Sequence, residues 1–311
     1  MATNRRMHPD QVDIDEALVR RLVADQFPEW AALPVERVAS NGTTNAMFRL
    51  GEELVVRLPL IPSAAGDIAK EQRWLPFLAP RLTVPVPEPL GVGVPGDGYP
   101  LPWSVLVWLE GATPEPGRPA EPELLARDLA EFTTALHWAE PAGAPPSYRS
   151  ETLADRAGGI AATLAELYGV IDVGAAEDAW EEALNAPEAE GPPVWIHADL
   201  QPGNLLVSPE GRLRGVIDFG CAGLGDAAVD LLPAWYVLPA SARAAFRTAV
   251  GADDAAWARG RGWALSVALN ELLYYRRTNP VMADTARYVI GEVLADHRFY
   301  RTVDQLSPRP R

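Results

Sequence analysis

The chain has 311 residues, of which 48% are hydrophobic and 22% are charged, which suits a globular protein long enough for two domains. Its formal net charge of −15 argues against nucleic-acid binding, which depends on Lys and Arg side chains. The charge favours approach of a cationic small molecule, unless it only promotes solubility. Because there is no apolar run of membrane-spanning length, no signal core and only one cysteine, we expect a cytoplasmic protein without disulfides, a membrane segment or an obligate protein partner.

Hydrophobic spacing predicts that the first third of the chain is rich in strands. The predicted elements are a helix over 13–27, two strands within 35–50 around a turn at 40–43, a strand over 53–59, a helix over about 67–78 and a strand over 103–109. A Pro- and Gly-rich stretch follows Gly111 and reads as a connector.

The remainder of the chain is predicted to be mainly helical. The predicted helices are 123–139, 151–186 with interruptions at Gly158–Gly159 and at Gly169, 226–236, 240–249, 254–278 and 282–300, before a frayed tail at 307–311.

The most informative segment is VWIHADLQPGNLLVSPEGRLRGVIDFG, which spans residues 194–220. Asp199, Asn204 and Asp218 follow short apolar runs at spacings that suit phosphoryl transfer, where a carboxylate accepts a hydroxyl proton and oxygen ligands hold Mg²⁺. Alone, Asp199 could be a turn residue, but the three together favour a catalytic role. Asp218 comes after Val216 and Ile217, where a buried carboxylate needs a metal or a cationic partner.

These residues carry a resemblance to a known family. His197-Ala198-Asp199, Asn204 and Ile217-Asp218-Phe219-Gly220 resemble the catalytic core of the aminoglycoside phosphotransferases, small-molecule kinases with a protein-kinase-like fold. The resemblance covers roughly residues 37–300. It implies an α+β, two-lobe protein-kinase-like fold with a small β-rich N-lobe (1–109, with an N-terminal helix), a larger mainly helical C-lobe (110–311) and a hinge near 107–111.

The resemblance also implies ATP and Mg²⁺ as cofactors and assigns a role to each motif residue. Asp199 is expected to be the catalytic base, Asn204 and Asp218 the metal ligands, and His197 a structural residue that orients the loop. The expected nucleotide-binding residues are Ser40, Asn41, Gly42, Thr43, Arg57, Glu71, Val107 and Leu109.

Arg57 occupies the position at which the family commonly has a phosphate-contacting lysine. It interrupts an apolar strand, where an unpaired charge is unfavourable, and Glu71 resembles the helix glutamate that pairs with this cation. Lys70 is the only lysine in the chain and is the alternative. Because Lys70 lies near a predicted helix start, we expect solvent to hydrate it, and we favour Arg57.

The acceptor is expected between the catalytic loop and the C-terminal helices. Asp230, in a GDxxxDL run that resembles the family's, is expected to brace the catalytic loop, and Asp226 to cap a helix. Glu271 either lines a pocket or lies on a solvated face balanced by Arg276 and Arg277.

The sequence therefore predicts an ATP-dependent phosphotransferase that acts on a hydroxyl group of a small molecule, with an aminoglycoside-like or other antibiotic as the leading acceptor class. A macrolide or a metabolic alcohol is an alternative acceptor. A nucleotide-binding protein of pseudokinase type, without transferase activity, is a further alternative. A metal-dependent hydrolase is disfavoured because it does not explain Asn204 or Arg57.

Overall fold

A five-stranded antiparallel sheet forms the framework of the first part of the chain, in the order β1-β2-β3-β5-β4. Its strands are β1 Val35–Arg37, β2 Asn45–Leu50, β3 Leu54–Pro59, β4 Pro89–Gly93 and β5 Trp103–Val107. Successive side chains of a strand point to opposite faces. Val56 and Leu58 therefore join one apolar core, while Arg57, between them, points to the other face.

Two helices pack with this sheet. Helix α1 (Glu16–Gln26) begins after Asp15, whose carboxylate accepts a hydrogen bond from the Leu18 amide, and its apolar side enters the core shared with Val56. Helix α2 (Ala65–Leu78) carries Glu71. Apart from β4, for which no strand was predicted, these elements lie close to the predicted ones.

The second part of the chain is mainly helical, as predicted. Its helices are α3 Pro122–His137, α4 Leu153–Glu166, α5 Val173–Asn185, α6 Pro233–Tyr236, α7 Ala240–Val250, α8 Asp254–Tyr275 and α9 Pro280–Leu306. Short strands lie among them: β6 Val194–Ile196, β7 Leu205–Val207, β8 Leu213–Val216 and β9 Gly223–Gly225, with β6 paired antiparallel to β9.

The predicted interruption at Gly158–Gly159 is wrong, because α4 runs through both glycines. Thr152 and Asp155 form a capping box at its start, and the buried side chains include Ile160 and Leu164. These contributions outweigh a cost of roughly 1 kcal/mol for each glycine. The break predicted at Gly169 lies between α4 and α5, and Gly169 has a φ of 76°.

The continuous helix predicted over 226–236 is also wrong. The chain forms a 3₁₀-helix at Ala227–Leu231 and then the short helix α6. Pro233 explains the change, since proline lacks an amide hydrogen and is tolerated at the first position of a new helix.

The computed structural model describes residues 11–39, 44–141 and 143–306, which divide into two compact units. The first unit takes in the described residues up to Ala112 together with Arg214–Cys221, and the second takes in Thr113–Leu213 and the described residues from Ala222 onwards. Among the described helices, none is both long and apolar enough to cross a membrane. A β-rich unit and a mainly helical unit confirm the predicted α+β class.

Candidate active site

In the second unit, the segment between β6 and β7 is fixed by Asp230. The backbone amides of His197 and Ala198 donate to the two carboxylate oxygens of Asp230, at 2.9 and 2.8 Å. Ala198 adopts the left-handed conformation, with a φ of 67°, which a residue other than glycine keeps only where its surroundings enforce it. The bracing role predicted for Asp230 is confirmed, and fully buried His197 accepts a hydrogen bond from the Asp199 amide through Nδ1.

Asp199 lies at the centre of a hydrogen-bonded group. Asn204 Nδ2 donates to the Asp199 Oδ2 and main-chain O, both at 2.8 Å, and Gln201 Nε2 donates to Oδ1 at 3.1 Å. Arg149 Nη2 lies 3.2 Å from the same Oδ1, and Arg149 also donates to the Ala198 carbonyl. The carboxylate of Asp199 is therefore held in one orientation by three side chains.

The arrangement of Asn204 suits an oxygen ligand. Because its amide nitrogen is committed to Asp199, its carbonyl oxygen points away, and that oxygen has no hydrogen-bond partner among the described residues. Magnesium prefers such hard oxygen ligands.

A carboxylate that the sequence left undecided, Glu271 on α8, belongs to this group. Its Oε1 accepts from Gln201 Nε2 at 2.7 Å, and its Oε2 accepts from the Tyr236 hydroxyl at 2.9 Å. Burial raises the pKa of Glu271 to about 7, and the nearby charge of Asp199 acts in the same direction. The solvated-face alternative is wrong, since Arg276 pairs with Glu166 instead.

In the first unit, Arg57 and Glu71 form a buried ion pair, with 2.5 Å between Arg57 Nη1 and Glu71 Oε2. Arg57 Nη2 lies 3.4 Å from Asp218 Oδ1. Burial raises the pKa of Glu71, against the lowering effect of Arg57. The predicted pairing of Arg57 with Glu71 is confirmed, and Asp218, itself half-exposed, has the cationic partner that the sequence required.

Lys70 is not hydrated in the way the sequence suggested. Its ammonium donates to the main-chain oxygen of Gly220 at 2.6 Å and so ties α2 to the Asp218-Phe219-Gly220 motif. Asp67, one turn before Glu71, approaches Gly220 so closely that a Cβ there would lie 2.8 Å from the Asp67 Cγ. Burial also raises the pKa of Asp67. The i, i+4 spacing of Asp67 and Glu71 was the sequence signal that could have placed both carboxylates on one face of α2.

The segment after β5 contains the residues expected at the adenine. The Val107 amide donates to the Glu88 carbonyl at 3.0 Å and the Trp108 amide to the Glu53 carbonyl at 2.7 Å, so neither is available to a ligand. The Leu109 amide has no hydrogen-bond partner within the part of the chain that the structure describes. The predicted phosphate-covering residues Ser40, Asn41, Gly42 and Thr43 lie outside the described residues.

Three residues of the site were not predicted from the sequence: Arg149, Gln201 and Tyr236. Arg149 and Tyr236 lie far from Asp199 along the chain, and only the fold brings them to it. Gln201 is two residues from Asp199, and its amide was the available signal, because one NH₂ group can serve two acceptors. Asp226, in contrast, caps the 3₁₀-helix after it, as predicted, by accepting from the Ala228 amide.

Comparison with solved structures identifies the fold. The GDP complex of wild-type aminoglycoside 2'-phosphotransferase-IIIa is 20% identical with a TM-score of 0.73, covering 91% of this chain and 100% of that one. The GDP and kanamycin complex of APH(2")-IIia is 21% identical (TM-score 0.71, 89% and 98% covered). Macrolide 2'-phosphotransferase MphH from Brachybacterium faecium is 22% identical, with a TM-score of 0.59, covering 89% of this chain and 97% of that one. The chain thus has the two-lobe protein-kinase-like fold that its sequence predicted.

Comparison of sequences identifies the family. None of the curated proteins compared with the chain matches it. The family of phosphotransferase enzymes designated APH, in contrast, matches residues 35–263, which is well over half of the chain and includes Asp199, Asn204 and Asp218. The chain belongs to this phosphotransferase enzyme family.

Proposed function

We propose that the protein transfers the γ-phosphate of ATP to a hydroxyl group of a small molecule, with Asp199 as the catalytic base. The observation that carries this proposal is the fixed orientation of Asp199. Its Oδ2 accepts from Asn204 and its Oδ1 from Gln201, on a loop whose amides are held by Asp230. A carboxylate held in this way orients an incoming hydroxyl group and accepts its proton as the O–P bond forms.

The nucleotide is assigned to the residues predicted for it. In the first unit, Arg57, paired with Glu71, contacts the phosphates through a guanidinium that stays charged. The backbone amide of Leu109 offers a donor to adenine, and the Val107 side chain helps to enclose the ring. Magnesium, when bound, neutralises charge that develops on the phosphates. Asn204 and Asp218 each present an oxygen of the kind that it prefers, and Mg²⁺ binds through few protein ligands.

The acceptor is proposed from the similar proteins, whose structures include complexes with kanamycin, gentamicin and streptomycin, and from the macrolide phosphotransferases. An aminoglycoside-like or other antibiotic is the leading class, and a macrolide or metabolic alcohol remains an alternative. We assign the enzyme a cytoplasmic location, since it would use the intracellular pool of ATP. The proposal also includes a lobe boundary near residue 109 and a hinge at 107–111.

The test is release of ADP in the presence of Mg-ATP and a panel of hydroxyl compounds, with Mg-GTP as a parallel donor. We expect acceptor-dependent ADP release by the wild type. Asp199→Asn should bind ATP normally in calorimetry and lose about 100- to 10,000-fold of turnover. If the wild type binds ATP but no acceptor stimulates ADP release, the chain is a nucleotide-binding protein without transferase activity. If Asp199→Asn turns over normally, Asp199 is not the base.

A further inference from the structure

The second unit contains a cavity of about 390 Å³ that is lined by Arg149, Glu151, Arg156, Asn270 and Glu271, with Tyr148 and Val267. It adjoins the proposed catalytic base, because Arg149 lines the cavity and also contacts Asp199 at 3.2 Å. The charges of its lining therefore bear on which acceptor can be phosphorylated.

Most of the charged groups of the cavity are already paired. Arg149 pairs with Asp199, and Arg156 Nη1 pairs with Glu151 Oε1 at 2.6 Å. Two arginines thus face three carboxylates when Glu271 is included, so one negative charge remains in excess. A site of this kind accommodates one added positive charge, whereas each further cation would meet arginine.

Glu271 is the carboxylate left without an ion pair within the described part of the chain. Its two hydrogen-bond partners, the Gln201 amide and the Tyr236 hydroxyl, are both neutral, and Arg149 acts on it only from farther away. A carboxylate has about four acceptor positions, so Glu271 can accept further hydrogen bonds from a ligand. An ammonium group there would offset the cost of holding this charge in a half-buried position.

Gln201 sets the separation between Glu271 and Asp199. The same Nε2 donates to Glu271 Oε1 at 2.7 Å and to Asp199 Oδ1 at 3.1 Å, so these oxygens are no farther apart than the sum of the two distances. An ammonium on one and a hydroxyl on the other can therefore belong to neighbouring or nearly neighbouring carbon atoms of one small molecule.

We propose that Glu271 is a specificity-determining residue that binds a single ammonium group next to the hydroxyl that Asp199 activates. Among the acceptor classes proposed above, this favours a monocationic amino alcohol, such as a macrolide or another compound with one amine, over an aminoglycoside with several amines. This inference rests on the proposed phosphotransfer, since it assigns the acceptor subsite of that reaction. Glu271→Gln removes the charge. Its amide oxygen can still accept from Gln201, and its amide nitrogen can donate to the Tyr236 hydroxyl, so the variant isolates the ionic contribution.

The test measures binding, separately from turnover, by calorimetry at pH 8 with two matched pairs of probes. The first pair is a macrolide with one dimethylamino group and its N-oxide, which has nearly the same shape and no net charge. The second pair is trans-2-aminocyclohexanol, whose ammonium group keeps its proton from pH 6 to pH 8, and trans-1,2-cyclohexanediol. We expect at least one amine to bind the wild type about 10- to 100-fold more tightly than its neutral partner, as for a hydrogen bond to a charged group. Kanamycin, which has several amines, should bind no more tightly than the compound with a single amine.

In Glu271→Gln this preference for the amine should disappear. Glu123→Gln is the matched control, because it removes one charge from an exposed side chain of α3 and should keep the preference. The wild type supplies a second check, since the preference should decline from pH 8 to pH 6 as Glu271 takes up a proton. The other ionisable groups of the protein around Glu271 act equally on the amine and on its neutral partner, so their titration cancels in the comparison. These groups are Asp199, Arg149, Tyr236, Glu151 and Arg156.

Two results would overturn the inference: equal or undetectable binding of amine and neutral partner by the wild type, or a preference that persists in Glu271→Gln. Failure of the phosphotransfer is a separate result, seen as ATP binding without acceptor-dependent ADP release. A wild type that binds the amine selectively but releases no ADP would uphold the amine site and refute the reaction.

Discussion

At the scale of single residues, Arg57 carries the largest predicted effect on stability. Arg57→Ala leaves Glu71 buried without its partner, and loss of one member of a buried ion pair costs about 3–5 kcal/mol of unfolding free energy. Arg57→Lys should keep part of this stability and part of the turnover, because the ammonium of lysine keeps the positive charge but lacks the forked donors of the guanidinium. Denaturant unfolding of both variants measures the effect.

The control for this prediction is Arg21→Ala, which breaks an ion pair whose side chains are both about half exposed. It should cost only about 0–1 kcal/mol. If Arg57→Ala costs no more than this control, Glu71 does not need its partner, and our account of the buried pair is wrong.

The second residue-scale prediction concerns Asp218. Replacing it with Asn should reduce the Mg²⁺ dependence of ATP binding, because a neutral amide is a weaker magnesium ligand than a carboxylate. Calorimetry with and without Mg²⁺ gives the comparison, and Asp226→Asn, which keeps a helix-capping side chain, is the control. Unchanged magnesium-linked affinity in a folded Asp218→Asn protein would exclude Asp218 as a ligand.

The sequence predicted some of these residues and not others for a physical reason. The bracing role of Asp230 and the pairing of Arg57 with Glu71 followed from motif spacing and from the cost of unpaired charge in apolar surroundings. The contact between Lys70 and the Gly220 carbonyl did not, because a lysine on a helix surface looks hydrated until the fold places an acceptor beside it.

At the scale of secondary structure, Lys70 connects α2 to the Asp218-containing motif. Lys70→Ala should lower the unfolding free energy by about 1–2 kcal/mol, since it removes one hydrogen bond from a charged donor. Turnover should fall less than in Arg57→Ala. Lys70→Arg, which can still donate to the Gly220 carbonyl, should stay close to wild type in denaturant unfolding. An unfolding free energy of Lys70→Ala equal to that of the wild type would mean that the hydrogen bond contributes nothing.

Helix α4 offers a prediction in the opposite direction. Gly158 and Gly159 lie in its interior with open space where a Cβ would be placed, so Gly158→Ala should stabilise the protein by about 0.5–1 kcal/mol. Gly169 has a φ of 76°, so Gly169→Ala should destabilise it. Thermal unfolding of the two variants tests this, and a loss of stability in Gly158→Ala would contradict the assignment of a continuous helix.

Elements with strong apolar spacing were predictable from the sequence, whereas those decided by local backbone chemistry were less so. The boundaries of α3 and α7 lie within a few residues of the prediction. The 3₁₀-helix before Pro233 was not predicted, because apolar spacing carries no information about a missing amide hydrogen. Strand β4 contains two glycines and a proline and has little strand propensity of its own.

At the scale of the whole molecule, a net charge of −15 coexists with paired charges at both proposed sites. The acidity therefore lies mostly outside the ion pairs that organise those sites. It can attract a cationic acceptor from a distance, but that attraction is screened by salt. The preference for one ammonium group is instead assigned to Glu271, whose partners are fixed by the fold.

The last prediction follows from the raised pKa of Glu271, which lies near 7 in the folded protein. The folded state holds a proton there that the unfolded state has released, so this group's contribution to stability falls as pH rises from about 4.5 through 7. Glu271→Gln cannot ionise, so its unfolding free energy does not show this decrease with rising pH. Its unfolding free energy relative to wild type should therefore increase by about 1–3 kcal/mol between pH 5 and pH 8. Denaturant unfolding at both pH values measures this, with Glu123→Gln as a control that should show no such trend. A difference that stays constant with pH would show that Glu271 ionises as freely as an exposed glutamate, and that its charge does not need the ammonium group proposed for it.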